Sequence, residues 1–398
     1  MSGLRRFRKL NFLNLLNSKH LNPKLLTNEY LMNKNYFKTT VITALALFGI
    51  FISTSISAQT IDFKSIDAFF EIADKLSQNQ KVKKSEWKKF NNTAAYKKLD
   101  MNYGDCKDIQ KVMELTFLSE NKTLCDSLLA APYSLNDDDY FIKLLLRNCV
   151  SLAKNYDDVK NVRQSYDFEE LKAQAIRQFR DFMPVVNDSF LTVPNIYFFF
   201  YAPDGYAQGN SIMLDFNYFY RNPQRIIGSF AHEIFHAYRF HLKKTKIIYS
   251  NALLIVLDLI QDEGIADLIN KKGSEYSAKT LTELGYPIEL EKNYLETVAN
   301  CSNWLSRLDS LTLAHLDGEI PYDTYKEQLF KLLKRNTHPV GYHISQLLVK
   351  NGLKAKMLDS FYNPIEFVKL YNSIAESEGM HVFSDRFMSY IEELYSKK

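Results

Sequence analysis

Two histidines four positions apart, His232 and His236, flank Glu233 in the run Ala231-His232-Glu233-Ile234-Phe235-His236. On a helix, residues four apart share a face and lie about one turn from each other. Both imidazoles can then close on a single zinc ion. Glu233 would sit where it can take a proton from a metal-bound water, the arrangement for metal-assisted hydrolysis of a carbonyl substrate.

The flanking sequence predicts the helix this chemistry needs. Asn222-Pro223 opens it, since Asn is a good cap and Pro is tolerated at the first helical position. Gln224 to Lys246 contains no further Pro, and Ile226, Ile227, Phe230, Ile234 and Tyr238 form an apolar stripe at helical spacing. Gly228 stands four before His232. A glycine inside a helix costs about 1 kcal/mol relative to Ala. A close neighbour is therefore expected there: a strand, a substrate or another helix.

Zinc normally takes three protein ligands and keeps a fourth position for water. In metzincins a Gly and a third His follow the second His at three and six residues. Those positions here are Arg239 and Leu242. His241 is near in sequence but points about 140° away on the helix. A glutamate from a following helix is the other source. The apolar run Leu253 to Ile260 leads into Gln261-Asp262-Glu263-Gly264-Ile265-Ala266-Asp267. Glu263-Gly264-Ile265-Ala266-Asp267 resembles the second motif of gluzincins, the thermolysin-like and aminopeptidase-like zinc peptidases. The resemblance implies Glu263 as third zinc ligand and Asp267 as the hydrogen-bond partner of His232, fixing its tautomer. The 27 positions from His236 to Glu263 allow one helix to end, turn near Tyr249-Ser250-Asn251 and return antiparallel.

The surrounding elements read as mainly α with a small β-sheet (α+β), a zincin-like catalytic core flanked by helical parts. Ile196 to Tyr201 is β-branched and aromatic, as is Leu191-Thr192-Val193, and both read as strand. Ala202-Pro203-Asp204-Gly205 reads as a turn, and residues 209–216 as a second strand. An edge strand beside the cleft can pair with an extended substrate backbone. Residues 209–216 are the candidate, with a core strand as the equal alternative. Residues 60–185 read as helices, with spaced apolar positions such as Ile66, Phe69, Phe70, Ala73 and Leu76. Downstream, Asn336 to Ile344 gathers two His and a Tyr with Gly and Pro at the start of an apolar helix. Zinc peptidases need a donor for the oxyanion opposite the metal. Tyr342, His338 and His343 are the candidates, in that order.

The expected organisation is a leader over 1–58, a helical region over 59–185 and a catalytic region over 186–398. The last divides into strands and motif helix (186–246) and a helical lower part (247–398). Lys34 and Lys38 precede the apolar run Val41 to Ile52, and small residues follow to Ala58. This is a signal-peptide pattern, implying export to the periplasm or medium. Membrane anchoring through residues 41–56 is the alternative. Residues 1–40 hold eight Lys/Arg against one acid, while the remaining 42 basic and 45 acidic residues leave the rest at −3. That gives no basic surface for nucleic acid. The cysteines, Cys106, Cys125, Cys149 and Cys301, lack zinc-finger spacing. In an exported protein Cys106 and Cys125 could pair.

The order of features over residues 85–395 also resembles an uncharacterised bacterial family of zinc-dependent peptidases. The expected function is thus an exported zinc metallopeptidase acting on peptides or proteins, with Zn2+ as cofactor and Glu233 as general base. The Gly-x-Met-Glu-Asn signature of aminopeptidases is absent, which favours an endopeptidase. A zinc hydrolase of a non-peptide substrate and a non-catalytic binding protein are the alternatives, because a fold and a motif do not settle function.

Overall fold

The aromatic run after Asn195 builds the strand on which the sheet is organised. The structure, a computed structural model, describes residues 61–103, 106–131, 134, 140–183, 194–209, 211–243, 245–271, 279, 281–333 and 336–396. The leader expected over 1–58 and the strand expected at 191–193 lie outside the described residues. Residues 61–398 form one compact unit. The chain is mostly helical with a small mixed sheet, as the sequence predicts.

In chain order, β1 (Ile61–Asp62) leads into α1 (Lys64–Ser77), and further helices include α2 (Tyr140–Lys154) and α3 (Phe168–Arg180). Then come β2 (Asn195–Phe199), β3 (Gly205–Gln208) and β4 (Ser211–Asp215). The motif helix is α4 (Ile226–Leu242), followed by α5 (Ala252–Asn270), α6 (Thr337–Lys350), α7 (Pro364–Ala375) and α8 (Asp385–Ser396). The strand order is β1-β2-β4-β3, with β1, β2 and β4 parallel and β3 antiparallel to β4.

This order corrects the reading of residues 209–216. Their strand, β4, lies between β2 and β3, and all five of its residues are buried. It is the core strand of the two alternatives. Among the described residues the sheet is bounded by β1 and β3, and β3, four residues long, overlaps the expected turn at Gly205. The Asp215 carboxyl group anchors the end of β4. Its side chain accepts from the Tyr201 N–H at 2.6 Å, the Tyr218 N–H at 2.7 Å and Asn148 Nδ2 of α2 at 3.0 Å. A buried carboxylate is tolerable only with such donors. Phe63, Phe168, Phe198 and Phe216 pack ring to ring, locking α3 onto the sheet.

The motif helix starts close to the expected point but ends earlier. Pro223–Arg225 forms a single 3-10 turn, α4 runs to Leu242, and Lys243 is extended. Asn222 does not cap it; its side chain instead donates to the Tyr218 carbonyl at 3.0 Å. The space at Gly228 is filled by α5, because a Cβ there would lie 2.6 Å from Asn270 Oδ1. Helix packing, rather than a strand or substrate, explains that glycine.

Helix α5 is apolar on all sides through its first half and is buried accordingly. Asn251 caps it by accepting from the Leu253 N–H at 2.8 Å. Burying each Leu, Ile or Val side chain contributes about 1.5–3 kcal/mol. Leu253, Leu254, Ile255, Val256, Leu257 and Ile260 are all at most 3% exposed. Across α5 lies α6, and the two cross at a pair of glycines. A Cβ on Gly341 would collide with the Ile260 carbonyl and sit 2.9 Å from Gly264 Cα. A Cβ on Gly264 would sit 2.7 Å from Gly341 Cα. Backbone meets backbone, with no side chain free to yield.

Gly341→Ala is therefore expected to lower stability by at least about 1–3 kcal/mol. The check is the urea midpoint of the full-length chain; an unchanged midpoint would refute the tight crossing. Cys125, Cys149 and Cys301 are free buried thiols. Among the described residues no Cys106–Cys125 bridge is formed, and the Cys106 side chain itself lies outside them.

Candidate metal centre

Helices α4 and α5 run antiparallel, because contacts pair rising with falling numbers. His232 faces Glu263 and Asp267, His236 faces Asp262 and Glu263, and Arg239 faces Asp258. This register brings three ligand atoms together. His232 Nε2 and His236 Nε2 are 3.0 Å apart. Glu263 Oε2 lies 3.7 Å from the first and 3.5 Å from the second. A tetrahedral zinc with bonds of about 2.0–2.2 Å spaces its ligand atoms about 3.3–3.6 Å apart. Among the described residues these three are the group that could hold a metal ion.

Three buried polar atoms support the fit. Glu263 Oε2, His232 Nδ1 and Asp267 Oδ1 are buried without a hydrogen-bond partner. Such atoms are costly unless something else satisfies them. A cation among the ligands would satisfy Glu263 Oε2. His232 Nδ1 and Asp267 Oδ1 face each other at 3.6 Å, just beyond hydrogen-bond reach.

Around this triangle lie further charged side chains. Asp262 Oδ1 lies 2.9 Å from His236 Nδ1. Asp267 Oδ2 takes Lys271 Nζ at 2.6 Å and His338 Nδ1 at 3.1 Å. His338 Nε2 lies 3.3 Å from Glu263 Oε2, and its ring stacks parallel to that of His232 at 6.3 Å. Glu233 is only 6% exposed and lies against the edge strand, where a Cβ on Gly205 would be 2.6 Å from its Oε1. No other residue type fits at 205 without pushing Glu233 aside.

The electrostatics follow from burial and neighbours. Burial pushes the Glu233 carboxyl up to about 8, and the negative charges of Asp204 and Glu263 add to it against His236 and His338. Burial would also raise Glu263, but His338, His236 and His232 outweigh it and hold the carboxyl at about 2. Burial, with the charge on His236, pushes His232 down to about 3. For His236 burial acts downward too, yet Asp262 and Glu263 overcome it and raise the imidazole well above its ordinary value. Asp267 is held well below the usual carboxylate range by Lys271 and His338, despite burial.

Of the residues singled out from sequence, His232, Glu233, His236, Glu263, Asp267 and His338 come together. Tyr342 and His343 do not join them. Tyr342 is 1% exposed and its hydroxyl points to the Lys271 carbonyl at 3.5 Å. His343 is one position further round the helix and senses Glu378 instead. Of the three oxyanion candidates it is thus His338, the second of them, that reaches the ligands. The His241 side chain lies outside the described residues. Asp262, Lys271 and Gly205 were missed. Asp262 adjoins Glu263, but only the helix register shows that it meets His236. A protein-family model with the description "Putative zinc dependent peptidase (DUF5700)" matches residues 87–379, well over half of the chain.

The chain belongs to this family. No curated protein and no solved structure matches it. The family's description as zinc dependent agrees with the His-His-Glu group, whose donor set suits that ion.

Asp262 and Glu263 favour the protonated form of His236 against burial, and a proton on Nε2 must leave before that nitrogen can bind a metal. Zinc uptake at pH 7 is expected to release at least one proton. Apparent affinity should strengthen by about tenfold per pH unit below the His236 value. Titration calorimetry in buffers of differing ionisation enthalpy measures this, and buffer-independent heats would refute it.

Proposed function

We propose that this member of the zinc-dependent peptidase family is an exported metallopeptidase of gluzincin type, hydrolysing internal peptide bonds. The observation that carries the reading is the convergence of His232 Nε2, His236 Nε2 and Glu263 Oε2 on one point, with Glu233 buried beside them. Zinc held there supplies a Lewis acid that acidifies a water and polarises a carbonyl oxygen.

The chain's own residues do the rest. Glu233 accepts the water proton on its carboxylate and delivers it to the leaving amine. Its tendency to hold a proton, produced by burial, suits the second step. His338 has one nitrogen committed to Asp267, which orients the ring and leaves Nε2–H toward the ligand side. Glu263 and Asp267 raise its value against burial, favouring the donating form. His338 is thus the donor for the oxyanion of the substrate, in the role first assigned to Tyr342.

Substrate lies along β3. Gly205 faces Leu214 across the antiparallel pair, and the Asp215 N–H donates to the Asp204 carbonyl at 3.1 Å. Gly205 and Leu214 are therefore a non-hydrogen-bonded pair. The backbone groups of Ala207 and the Gly205 carbonyl then point away from β4, where an extended peptide can add as a further strand, while the Gly205 N–H already donates to Asp204 Oδ1 at 2.9 Å. Gly205 also abuts Glu233, so strand and base share one boundary. The leader pattern over 1–58 supports export, with residues 41–56 as an anchor if uncut. Among the described residues no helix is long and apolar enough to cross a membrane.

Glu233→Gln is expected to keep stoichiometric zinc and lose about 10²–10⁴-fold in peptide hydrolysis. His338→Ala should lower kcat by about 10²–10³-fold with little change in KM. A peptide-library digest run beside an ester panel is the measurement. Ester cleavage without peptide cleavage would sink the peptidase reading, and undiminished activity in Glu233→Gln would sink the mechanism.

A further inference from the structure

Arg239 stands three residues after His236, where a metzincin would have glycine. Its side chain is 0% exposed, among the most completely buried in the described chain. A guanidinium placed there must be matched on all sides. Nε donates to the Phe361 carbonyl at 2.6 Å, and Nη2 to Gln261 Oε1 at 2.6 Å. Nη2 also lies 2.7 Å from Asp258 Oδ1, and Nη1, which makes no hydrogen bond, faces Asp262 Oδ2 as an ion pair at 3.5 Å. Lys243 Nζ adds to the same group, 2.8 Å from Asp258 Oδ2 and 3.9 Å from Asp262 Oδ2. Two cations and two carboxylates thus balance within one buried cluster. The far oxygen of that cluster, Asp262 Oδ1, is the one at 2.9 Å from His236 Nδ1.

We propose that Asp262 and Arg239 are positioning residues for the metal centre: Asp262 accepts the Nδ1–H of His236, and Arg239 holds Asp262 in the orientation that lets it do so. An imidazole has two tautomers, and only the one protonated on Nδ1 offers the Nε2 lone pair to a metal. A carboxylate on Nδ1 selects that tautomer and raises the basicity of Nε2. Asp262 can supply this only if its other oxygen is fixed, and the guanidinium is what faces that oxygen. The two zinc histidines are served differently: His232 has Asp267 at 3.6 Å, whereas the Asp262 contact to His236 is already closed. The Asp262–His236 contact therefore makes His236 the preset arm of the site.

A purely structural role is the rival account, in which Arg239 merely offsets Asp258 and ties α4 to the segment 360–363. Gln261 Nε2 reaches the Ser360 carbonyl at 3.0 Å, so that tie exists without Asp262. The two accounts differ in the metal, not in the fold. The proposal rests on the zinc reading above.

The test uses the full-length chain and measures Zn2+ affinity by chelator competition, with the visible spectrum of the Co2+-loaded protein as the signature of ligand geometry. Asp262→Asn should weaken Zn2+ binding about 10- to 100-fold and shift the Co2+ bands. Arg239→Lys should fall between the parent and Arg239→Met. Asp309→Asn serves as control: Asp309 is buried in a separate polar group with His381 and Ser384, so it should lower thermal stability and leave Zn2+ affinity unchanged. Should Arg239→Met fail to fold, Asp262→Asn and Arg239→Lys decide. Parent-like affinity and spectrum in both would overturn the proposal while leaving the zinc site standing. A parent chain that binds no zinc would overturn both.

Discussion

An apolar helix that carries four carboxylates can be buried only if each carboxylate meets a cation. Helix α5 is such a helix, with Asp258, Asp262, Glu263 and Asp267 along a span that is otherwise mostly aliphatic. Removing a charge from water costs several kcal/mol even after relaxation, unless partners replace the solvent. The partners are partly shared. Asp258 has Arg239 and Lys243, Asp262 has Arg239 and His236, and Asp267 has Lys271 and His338. Glu263 is left with three histidines and an oxygen that accepts no hydrogen bond. The position with the least internal compensation is the one aimed at the metal point.

That distribution depends on how closely three helices approach. The crossing of α5 and α6 at Gly264 and Gly341 sets how near His338 comes to Glu263 and Asp267. A side chain at either glycine would force the helices apart and withdraw His338 from two carboxylates at once. On the other side, Gly228 lets the end of α5 lie against α4. Gly205 lets the edge strand lie against Glu233. Four glycines, none at a positive φ among them, thus act by omission of a side chain rather than by unusual backbone geometry.

The parts of the site legible in sequence are those fixed by one helix alone. His232 with His236, and Glu263 with Asp267, are four apart, so their shared face follows from helical geometry without any tertiary knowledge. What depends on the register between elements was not legible. Asp262 and Glu263 are neighbours in sequence, and only the pairing of α4 with α5 decides that one meets Nδ1 of His236 and the other its Nε2. Tyr342 shares a face with His338, yet one more turn carries its hydroxyl past the ligands to the end of α5. In the sheet, Pro203-Asp204-Gly205 has turn composition, which hid a four-residue edge strand behind it. The parallel pairing of β2 with β4 then placed residues 211–215 inside the sheet, a crossover that alternation of residue types cannot reveal. The mainly helical class with a small sheet was legible, because long apolar-periodic stretches dominate the chain.

The charges at the centre divide its acids into two kinds. Glu263 keeps its charge, since the histidines hold its carboxyl at about 2. Glu233 is pushed up to about 8 and so carries a proton at neutral pH. For His236 burial acts downward, but Asp262 and Glu263 outweigh it and raise the imidazole well above its ordinary value. Burial disfavours the charged form of all three groups, and only for Glu263 and His236 do nearby opposite charges outweigh it. The same buried pocket therefore holds one carboxylate charged among the histidines and inclines its neighbour to keep a proton.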